Sequence, residues 1–376
     1  MRVGLIPGLL GLLLLVGCAR RPVGQFPIGI YAPGSTNALS VLSRAGFSHV
    51  TGPANRPFLD AAHGAGIQVL ASPGTTAGPG FKPSVARSTV RSLDGHPALW
   101  AWYLSDEPDL NGLSAEEVRQ VHSAVRHAGA RKPTALVVYR GQSLATFHTA
   151  DILMVDRYPV GWQPLAAFFQ HMQHGAVAAG VSGRPFIAVI QAFNWSTYAD
   201  VHPFPEPITS RAPTEAELRA MAWGARLIGA NGLFFYPYAD ARWRMTEHPD
   251  TWNALVNVVR EIRGRSTLFT APRAGLPPRA ELLDPSRRFN EVLEPALLWS
   301  VVQVTASSAT IPAGKYWIFV NTTAESHQIR LREPAWAGAI LPDLDRAEPR
   351  QVDSDGWMDP ITPYEVRLLG PLPDRR

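Results

Sequence analysis

Short apolar runs alternate with amphipathic segments along residues 27–265. Eight of these runs are rich in aliphatic and aromatic residues, and polar or glycine-containing sequence follows each one. Such runs predict strands buried on both faces, because helices cover both sides of a parallel sheet. The predicted strands are PIGIYA (27–32), FSHVTG (47–52), IQVLAS (67–72), ALWAWYL (98–104), TALVVY (134–139), DILMVD (151–156), PFIAVIQAF (185–193) and GLFFYPY (232–238).

Helical segments separate the predicted strands, and two of them begin with a recognisable cap. The S/T-x-x-E capping-box pattern starts at Ser114 and at Thr214, which predicts helices near 115–128 and 215–229. Eight alternations of strand and helix predict an α/β fold, a (β/α)8 TIM barrel over residues 27–265. A doubly wound open sheet is the alternative, but no glycine-rich phosphate loop follows the first strand.

The pattern changes after residue 265. Residues 266–284 are rich in Pro and Arg and predict a linker. Beyond the linker, short runs of β-type composition are separated by turn residues, and several of them alternate between apolar and polar positions. These runs are LLWSVVQVT, KYWIFVNTT, SHQIRLRE and YEVRLLG. They predict a C-terminal antiparallel β-sandwich domain over residues 285–372.

The N-terminus has the features of an export signal. Arg2 precedes an apolar run over residues 9–16 that is too short to span a membrane comfortably, so residues 1–17 are predicted to be a signal peptide. The run ends in LVGC, which resembles the bacterial lipobox, and Cys18 is the only cysteine of the chain. We expect Cys18 to be lipidated, with residues 18–26 as a tether. The protein is then exported and lipid-anchored in the bacterial cell envelope, in the outer membrane if the host has one.

Charge and motif content exclude several classes of function. The net charge is +4, but the arginines are scattered rather than clustered, so no nucleic-acid partner is expected. No GxSxG nucleophile elbow is present. His171 and His174 are three residues apart on a predicted helix with no carboxylate ligand evident nearby, so no metal site is predicted there. No cofactor is expected.

Polar and aromatic residues follow several of the predicted strands at their carboxyl ends, where a barrel of this kind builds its active site. They are Tyr31 after the first strand, Asp106 and Glu107 after the fourth, Asp156, Arg157 and Tyr158 at the sixth, Gln191, Asn194 and Trp195 at the seventh, and Tyr236, Tyr238, Asp240 and Trp243 at the eighth. Two carboxyl groups usually break a glycosidic bond, and aromatic rings cover the apolar faces of sugars. This mixture predicts a glycosidase with a carbohydrate substrate.

Glu107, Asp106 and Asp156 are the candidate catalytic residues. Neighbouring residues of an extended chain point to opposite sides, so Asp106 and Glu107 are not equivalent. We expect Glu107 to project into the cleft, where burial raises its pKa, and Asp106 to turn toward backbone N–H groups or an arginine and to stay ionised. The candidate substrate-binding residues are Tyr31, Tyr158, Gln191, Asn194, Trp195, Tyr236, Tyr238 and Asp240.

The motif SDEP after the fourth strand resembles the Asn-Glu-Pro of the large clan of retaining (β/α)8 glycoside hydrolases, whose Glu is the acid/base. WYLSDEP, VDRYP, QAF and GLFFY, in this order, resemble bacterial glycoside-hydrolase-like lipoproteins with this barrel and a C-terminal β-sandwich. The resemblance implies that Glu107 is the acid/base, that Tyr158 is a substrate-site tyrosine and that Tyr236 is the aromatic residue of the eighth strand.

The chain departs from that clan at the seventh strand, where Gln191 stands in place of the nucleophilic Glu. Three alternatives to double displacement remain open. Asp156 or Asp240 could act as base in an inverting reaction. The Asp106–Glu107 pair also resembles the Asp-Glu of β-hexosaminidases, in which the Asp steadies an acetamido group that acts as nucleophile. Finally, the protein could bind carbohydrate without cleaving it. A hydrolase or lyase of non-sugar polymers would be favoured by a clustered His/Asp metal site, which the sequence does not show.

The predicted anchor depends on one thiol. Replacing Cys18 by Ser should abolish incorporation of a labelled fatty acid and release the protein from the membrane fraction. The parent chain, expressed in the same host, should be labelled. Equal labelling of the two proteins would contradict the lipidation of Cys18.

Overall fold

Eight parallel strands close into a barrel in the computed structural model, which describes residues 25–198, 200, 211–274, 279–283, 296–332, 336–354 and 356–372. The strands pair in chain order, and the last returns to the first, with Leu233 opposite Ile28. They are β1 (Ile28–Ile30), β2 (His49–Gly52), β3 (Gln68–Ala71), β4 (Leu99–Tyr103), β5 (Thr134–Val138), β6 (Ile152–Arg157), β7 (Phe186–Gln191) and β8 (Gly232–Tyr236). The predicted (β/α)8 barrel is confirmed, and the open sheet is excluded.

Helices surround the barrel. They are α1 (Asn37–Ala45), α2 (Arg56–Gly64), α3 (Pro83–Leu93), α4 (Ala115–His127), α5 (Ala166–Ser182), α6 (Glu215–Ile228), α7 (Pro249–Gly264) and the short α8 (Ser266–Phe269). Both predicted capping boxes form: Ser114 and Thr214 each accept a hydrogen bond from the backbone N–H of the glutamate three residues later, which bonds back to the cap.

The connection between β5 and β6 holds a 3-10 helix, Gly141–Ala145, in place of an α-helix. This helix packs against α5, and a glycine is required at the contact. A Cβ atom on residue 141 would lie 1.9 Å from the carbonyl oxygen of His171. The close approach brings α5 over the end of β5, beside the strand ends that carry the polar residues.

Two antiparallel sheets follow the barrel, as predicted. One has the order β10 (Leu297–Val304), β11 (Gly314–Asn321), β16 (Val366–Leu369), β13 (Ile340–Asp343) and β14 (Arg346–Gln351). The other has the order β15 (Trp357–Ile361), β12 (His327–Arg332) and β9 (Arg279–Leu282).

The central strand β11 is buried on both faces. Tyr316 and Ile318 belong to the same hydrophobic cluster as the barrel core, whereas Trp317 and Phe319 belong to a second cluster between the two sheets. Successive side chains of a strand point to opposite faces, so this one strand separates the two cores. The five-stranded sheet thereby packs against the barrel while it covers the three-stranded sheet.

The structure differs from the predicted linker at 266–284. The side chains of Leu268 and Phe269 in α8 are buried in the barrel cluster, and Phe269 packs edge-on against Phe26 and Trp223. Strand β9 pairs with β12 in the three-stranded sheet. These short apolar elements were hidden by the Pro and Arg residues around them. The predicted start of the sandwich at residue 285 lies outside the described residues.

The predicted signal peptide and Cys18 also lie outside the described residues. Within the described ranges, no helix combines the length and the apolar character needed to cross a membrane.

A buried ion cluster joins the two sheets. The guanidinium of Arg367 in β16, which is 1% exposed, donates to Asp343 of β13 at 2.9 Å and to Asp359 of β15 at 2.7 Å. Asp343 lies in the five-stranded sheet and Asp359 in the three-stranded sheet. The cluster therefore ties the sheets together through their dry interior.

Replacing the buried Arg367 should lower the free energy of unfolding far more than replacing an arginine at the surface. Arg367→Met leaves two buried carboxylates without their shared cation, so the free energy of unfolding should fall by about 3–5 kcal/mol. The control Arg119→Met removes an exposed partner of Glu116 and should cost about 1 kcal/mol or less. Urea unfolding of both variants measures the difference. Equal small losses would contradict a stabilising role for the buried cluster.

Candidate active site

The fourth strand contains a bulge, and its aromatic side chains point in different directions. The pairing of β3 with β4 skips Trp100, so Val69 and Leu70 face Leu99 and Ala101. Beyond the bulge, Trp102 donates its indole N–H to Asp94 at the end of α3, outside the barrel. Tyr103 turns inward, and its hydroxyl lies 3.3 Å from that of Tyr31 on β1.

Glu107 is held in a strained turn directly after β4. Its φ angle is +41°, a left-handed conformation that costs a non-glycine residue about 1 kcal/mol or more. Its N–H donates to the carbonyl of Val137 in β5 at 3.2 Å, and its own carbonyl accepts from the N–H groups of Leu110 and Asn111. These backbone bonds maintain the turn and fix the Glu107 side chain beside the ends of β5 and β6.

Two carboxyl groups interact at this position. Burial raises the pKa of Glu107 to about 7; the negative charges of Asp106 and Asp109 act in the same direction, while Asp156 and Arg157 partly oppose the shift. Burial, and then the charge of Glu107, raise the pKa of Asp156 well above its usual range. Two adjacent carboxyls in so dry a site cannot both ionise, so the pair retains a proton at neutral pH. The raised pKa of Glu107 agrees with the expectation from the sequence.

Asp106 differs from the expectation in its partner. Its carboxylate accepts a hydrogen bond from the hydroxyl of Tyr103, and neither an arginine nor a backbone N–H takes this place. Desolvation by the surrounding groups raises the pKa of Asp106, although the Tyr103 bond opposes the shift and the residue remains exposed at the mouth of the cleft. Its negative charge contributes in turn to the raised pKa of Glu107.

Tyrosine rings form the walls around these acids. Tyr158 donates its hydroxyl to Asp156 at 3.1 Å and stacks on Tyr236, with ring centroids 5.5 Å apart. Tyr31 packs edge-on against both Tyr103 and Tyr236. The sequence analysis did not assign a role to Tyr103, although it precedes the acids in the same strand.

Trp195 and Asn194 lie beside this cluster, after β7. The indole N–H of Trp195 donates to the carbonyl of Tyr158 at 2.8 Å, and its ring packs against those of Phe193 and Tyr158. The side-chain oxygen of Asn194 accepts from the N–H of Ser196 at 2.9 Å. Asn194 therefore shapes the loop that holds Trp195 in place.

Gln191 is not available to a substrate, which corrects its assignment as a binding residue. The side chain is fully buried: its oxygen accepts from the N–H of Val160 at 2.8 Å, and its amide donates to the carbonyls of Val160 and Phe193. All of these bonds go to the backbone. Gln191 thus clamps the segment after β6 onto the end of β7.

The assignment of Tyr238 as a substrate-binding residue is also wrong. Its ring is buried and packs edge-on against Trp252 of α7, away from the acids. Asp240, by contrast, reaches the tyrosine wall. It accepts hydrogen bonds from the hydroxyls of Tyr198 and Tyr236 at 2.5 and 2.8 Å and from two backbone N–H groups of its own loop. Burial would raise the pKa of Asp240, but these four bonds lower it, so Asp240 positions tyrosines rather than activating water.

Tyr139 and Arg157 complete the site at the ends of β5 and β6. Arg157 lies with its guanidinium carbon 4.6 Å from the ring centroid of Tyr139. Asp109 accepts from the backbone N–H of Tyr139 at 2.9 Å and fixes it there. The position of Tyr139 at the end of the predicted fifth strand is the signal that could have identified it from the sequence.

No group of three or more His, Cys, Asp or Glu side chains suited to a metal ion is found among the described residues. The Nδ1 atom of His171 accepts from the N–H of Gly141 at 3.1 Å, so this histidine supports the 3-10 helix.

Several solved structures with the same fold are described as glycoside hydrolases or related enzymes. One described as a glycoside hydrolase has a TM-score of 0.57 and 10% identity over 92% of each chain. A glycoside hydrolase family 5 protein from Bacteroides vulgatus has a TM-score of 0.57 and 11% identity, covering 92% of this chain and 88% of its own. A putative alpha-galactosidase from Bacteroides fragilis has a TM-score of 0.55 and 10% identity, covering 92% and 78%.

Sequence comparison adds no closer relationship. No family model matches the chain, and no curated protein matches it. The structural neighbours therefore support the (β/α)8 TIM barrel as the fold.

The clamp role of Gln191 predicts the outcome of restoring an acid there. Gln191→Glu loses two N–H donors and places a carboxylate against two buried carbonyls, so it should lower the free energy of unfolding by about 3 kcal/mol and restore no activity. Asn194→Asp keeps the acceptor for Ser196 and should change stability by about 0.5 kcal/mol or less. Thermal and urea unfolding test both variants. A Gln191→Glu protein as stable as the parent would show that the side chain is free in the cleft.

Proposed function

We propose that this protein is a glycoside hydrolase in which Glu107 is the general acid. The observation that carries the proposal is the environment of Glu107: a partly buried carboxyl, with its pKa raised to about 7, beside Asp156 and Asp106 at the carboxyl ends of the barrel strands. A general acid must hold its proton at the working pH and release it to the leaving oxygen. A carboxyl group with this pKa can do both near neutrality.

The cleft walls favour a sugar as the substrate. Rings of Tyr31, Tyr158, Tyr236 and Trp195 surround the acids, and such rings cover the apolar C–H faces of a pyranose. Tyrosine hydroxyls and carboxylates supply acceptors and donors for sugar hydroxyls. The glycosidase-like fold agrees with this reading.

Three carboxyls then take different roles. Asp156 is buried, burial and the charge of Glu107 raise its pKa well above the usual range, and its hydrogen bond to Glu107 holds that side chain in place. Glu107 and Asp156 interact directly, which leaves no room between them for the water of an inverting reaction. Asp106 is the most exposed of the three carboxyls, and its negative charge contributes to the raised pKa of Glu107. We propose that Asp106 stabilises the positive charge that develops on the sugar, or that it positions a substrate group that acts as nucleophile.

The proposed cellular setting follows from the sequence. Export and lipidation at Cys18 would place the cleft outside the cytoplasm, facing an extracellular or cell-wall oligosaccharide or polysaccharide. The membrane would then serve only to anchor the protein.

Non-catalytic carbohydrate binding is the second candidate, and the state of Gln191 favours it. The end of β7 offers neither a nucleophile nor a free amide, because backbone groups use every polar atom of Gln191. A binding protein of this kind would retain the aromatic walls and lack turnover.

The pH dependence of hydrolysis tests the acid. In a screen of aryl glycosides and polysaccharides, kcat of the parent protein should fall as the pH rises through about 7, because Glu107 then loses its proton. Glu107→Gln should lower kcat by about 100- to 10,000-fold and remove this alkaline limb. The exposed acid Glu116 on α4 provides a matched control. Glu116→Gln should leave both kcat and its pH dependence unchanged.

Two outcomes would count against the proposal. Turnover that survives Glu107→Gln with the same pH profile would remove Glu107 from the chemistry. Tight binding of a glycan by the parent protein, without hydrolysis at any pH at which it is folded, would favour the non-catalytic candidate.

A further inference from the structure

The last turns of the barrel helices and the loops that follow them form the end of the barrel at which the strands begin, and we name this end the entry face. Phe26 lies there, directly before β1. Its ring packs edge-on against Phe269, with ring centroids 5.2 Å apart, and its carbonyl accepts a hydrogen bond from Arg263 of α7 at 2.9 Å. The cleft with Glu107 lies at the opposite end, where the strands finish.

The proposed lipid anchor must lie near the entry face. Residues 18–25 span at most about 25 Å when fully extended. The 17-residue helix α5 is itself about 25 Å long, so the cleft end is separated from Phe26 by about the full reach of this tether. A chain acylated at Cys18 therefore holds the entry face, rather than the cleft, next to the membrane.

Positive charge predominates on the entry face. Exposed arginines stand on three of its segments: Arg44 in the last turn of α1, Arg91 in the last turn of α3, and Arg131 between α4 and β5. Among the described residues, no acid forms an ion pair with Arg44 or Arg91, and the side chain of Arg131 is 83% exposed. These charges are complementary to an anionic surface. The acids of this face are each paired with a basic side chain or a backbone N–H, and they are Asp60, Asp94, Asp151 and Glu261.

An apolar surface reaches the same end of the barrel on α5. Residues 175–183 contain no charged side chain, and Val177 and Val181 are 67% and 87% exposed. Val181 lies in the last turn of α5, at the rim of the entry face, and Val177 lies one turn above it. Beside Val177, a groove of about 310 Å³ lies between α5 and β10, with Trp299 and Arg273 in its lining. Aliphatic residues, tryptophan and arginine are typical of surfaces that contact lipid head groups.

We propose that the entry face and the exposed side of α5 rest on an anionic phospholipid surface, with Val177 and Val181 at the level of the head groups. The inference rests on the proposed lipid anchor and is independent of the chemistry proposed for Glu107. An acyl chain and a basic surface together hold a protein on a membrane more firmly than either does alone. The contact orients the barrel so that the cleft opens away from the membrane.

A single fluorescent label at either end of the barrel tests this orientation. Cys18 is the only cysteine of the chain, so Cys18→Ser combined with Val181→Cys or Glu247→Cys leaves one thiol, at the entry face or at the cleft end. The same two cysteines are also introduced into the acylated protein, in which the lipid blocks Cys18. Vesicles of phosphatidylcholine, with or without phosphatidylglycerol, carry nitroxide-labelled head groups that quench a label in contact with the surface.

Vesicles that contain phosphatidylglycerol should quench the label at residue 181 and leave the label at residue 247 bright. Quenching at residue 181 should weaken on vesicles without phosphatidylglycerol and as the salt concentration rises, because salt screens the attraction. Circular dichroism verifies that each labelled protein is folded.

A triple variant tests the role of the basic residues. Arg44→Gln, Arg91→Gln and Arg131→Gln together should lower the ratio of quenched to unquenched molecules by about 100-fold at low salt, because each arginine near an anionic surface contributes about fivefold. A matched triple variant removes the same charge from exposed arginines at the cleft end and should leave this ratio nearly unchanged. Its substitutions are Arg56→Gln, Arg119→Gln and Arg244→Gln.

The outcomes separate this inference from the proposed anchor. Equal quenching of the two labels, or none at residue 181, on vesicles that hold the acylated protein would overturn the membrane contact of the entry face and leave the anchor intact. Equal losses in the two triple variants would also overturn it, because the attraction would then follow the net charge. A chain that carries no acyl group would contradict the anchor. The labelled Cys18→Ser proteins then decide the contact alone: quenching confined to residue 181 supports it, and any other pattern contradicts it.

Discussion

The carboxyl groups of Glu107 and Asp156 interact in a cleft whose walls are tyrosine rings, and the arrangement of the site depends on this contact. Low hydration and mutual repulsion both oppose a second negative charge, so the pKa of each group is raised above its ordinary value. The hydroxyl of Tyr158 holds Asp156, and the strained turn at residue 107 holds its partner. Asp106, more exposed and bonded to Tyr103, lies one residue away.

The barrel places these groups through ordinary backbone geometry. Trp102 and Tyr103 are consecutive in β4 and point to opposite sides, so that Trp102 braces α3 and Tyr103 contacts Tyr31 inside the barrel end. Gln191 fastens the loop that carries Tyr158, and Asp240 fastens Tyr198 and Tyr236. The positions at which carboxylates and amides were expected to meet a substrate are therefore partly used to hold the aromatic walls in place. The sandwich contributes support at a distance, since one face of β11 completes the barrel core.

Local patterns in the sequence were enough to predict much of this architecture. Buried strands are continuous apolar runs, and capping boxes such as Thr214–Glu217 act within one helical turn, so strands and helix starts could be located. The position of Glu107 at a strand end followed from the same pattern. Side-chain direction was harder to predict. Gln191 and Tyr238 follow strands as expected, but tertiary contacts with Val160 and Trp252 decide where they point. The burial of Arg157 between the rings of Tyr139 and Trp162 depends on separate chain segments meeting, which no local pattern reports.

The ionisation of Glu107 tests the central claim most directly. Selective carbon-13 labelling of glutamate side chains allows its carboxyl signal to be followed by NMR across the pH range in which the protein is folded, with Glu107→Gln used for assignment. The account predicts a signal, absent from the variant, whose main midpoint lies near 7. A midpoint near 4.5, the ordinary value for a glutamate, would contradict the raised pKa of Glu107 and, with it, the role of Glu107 as the acid.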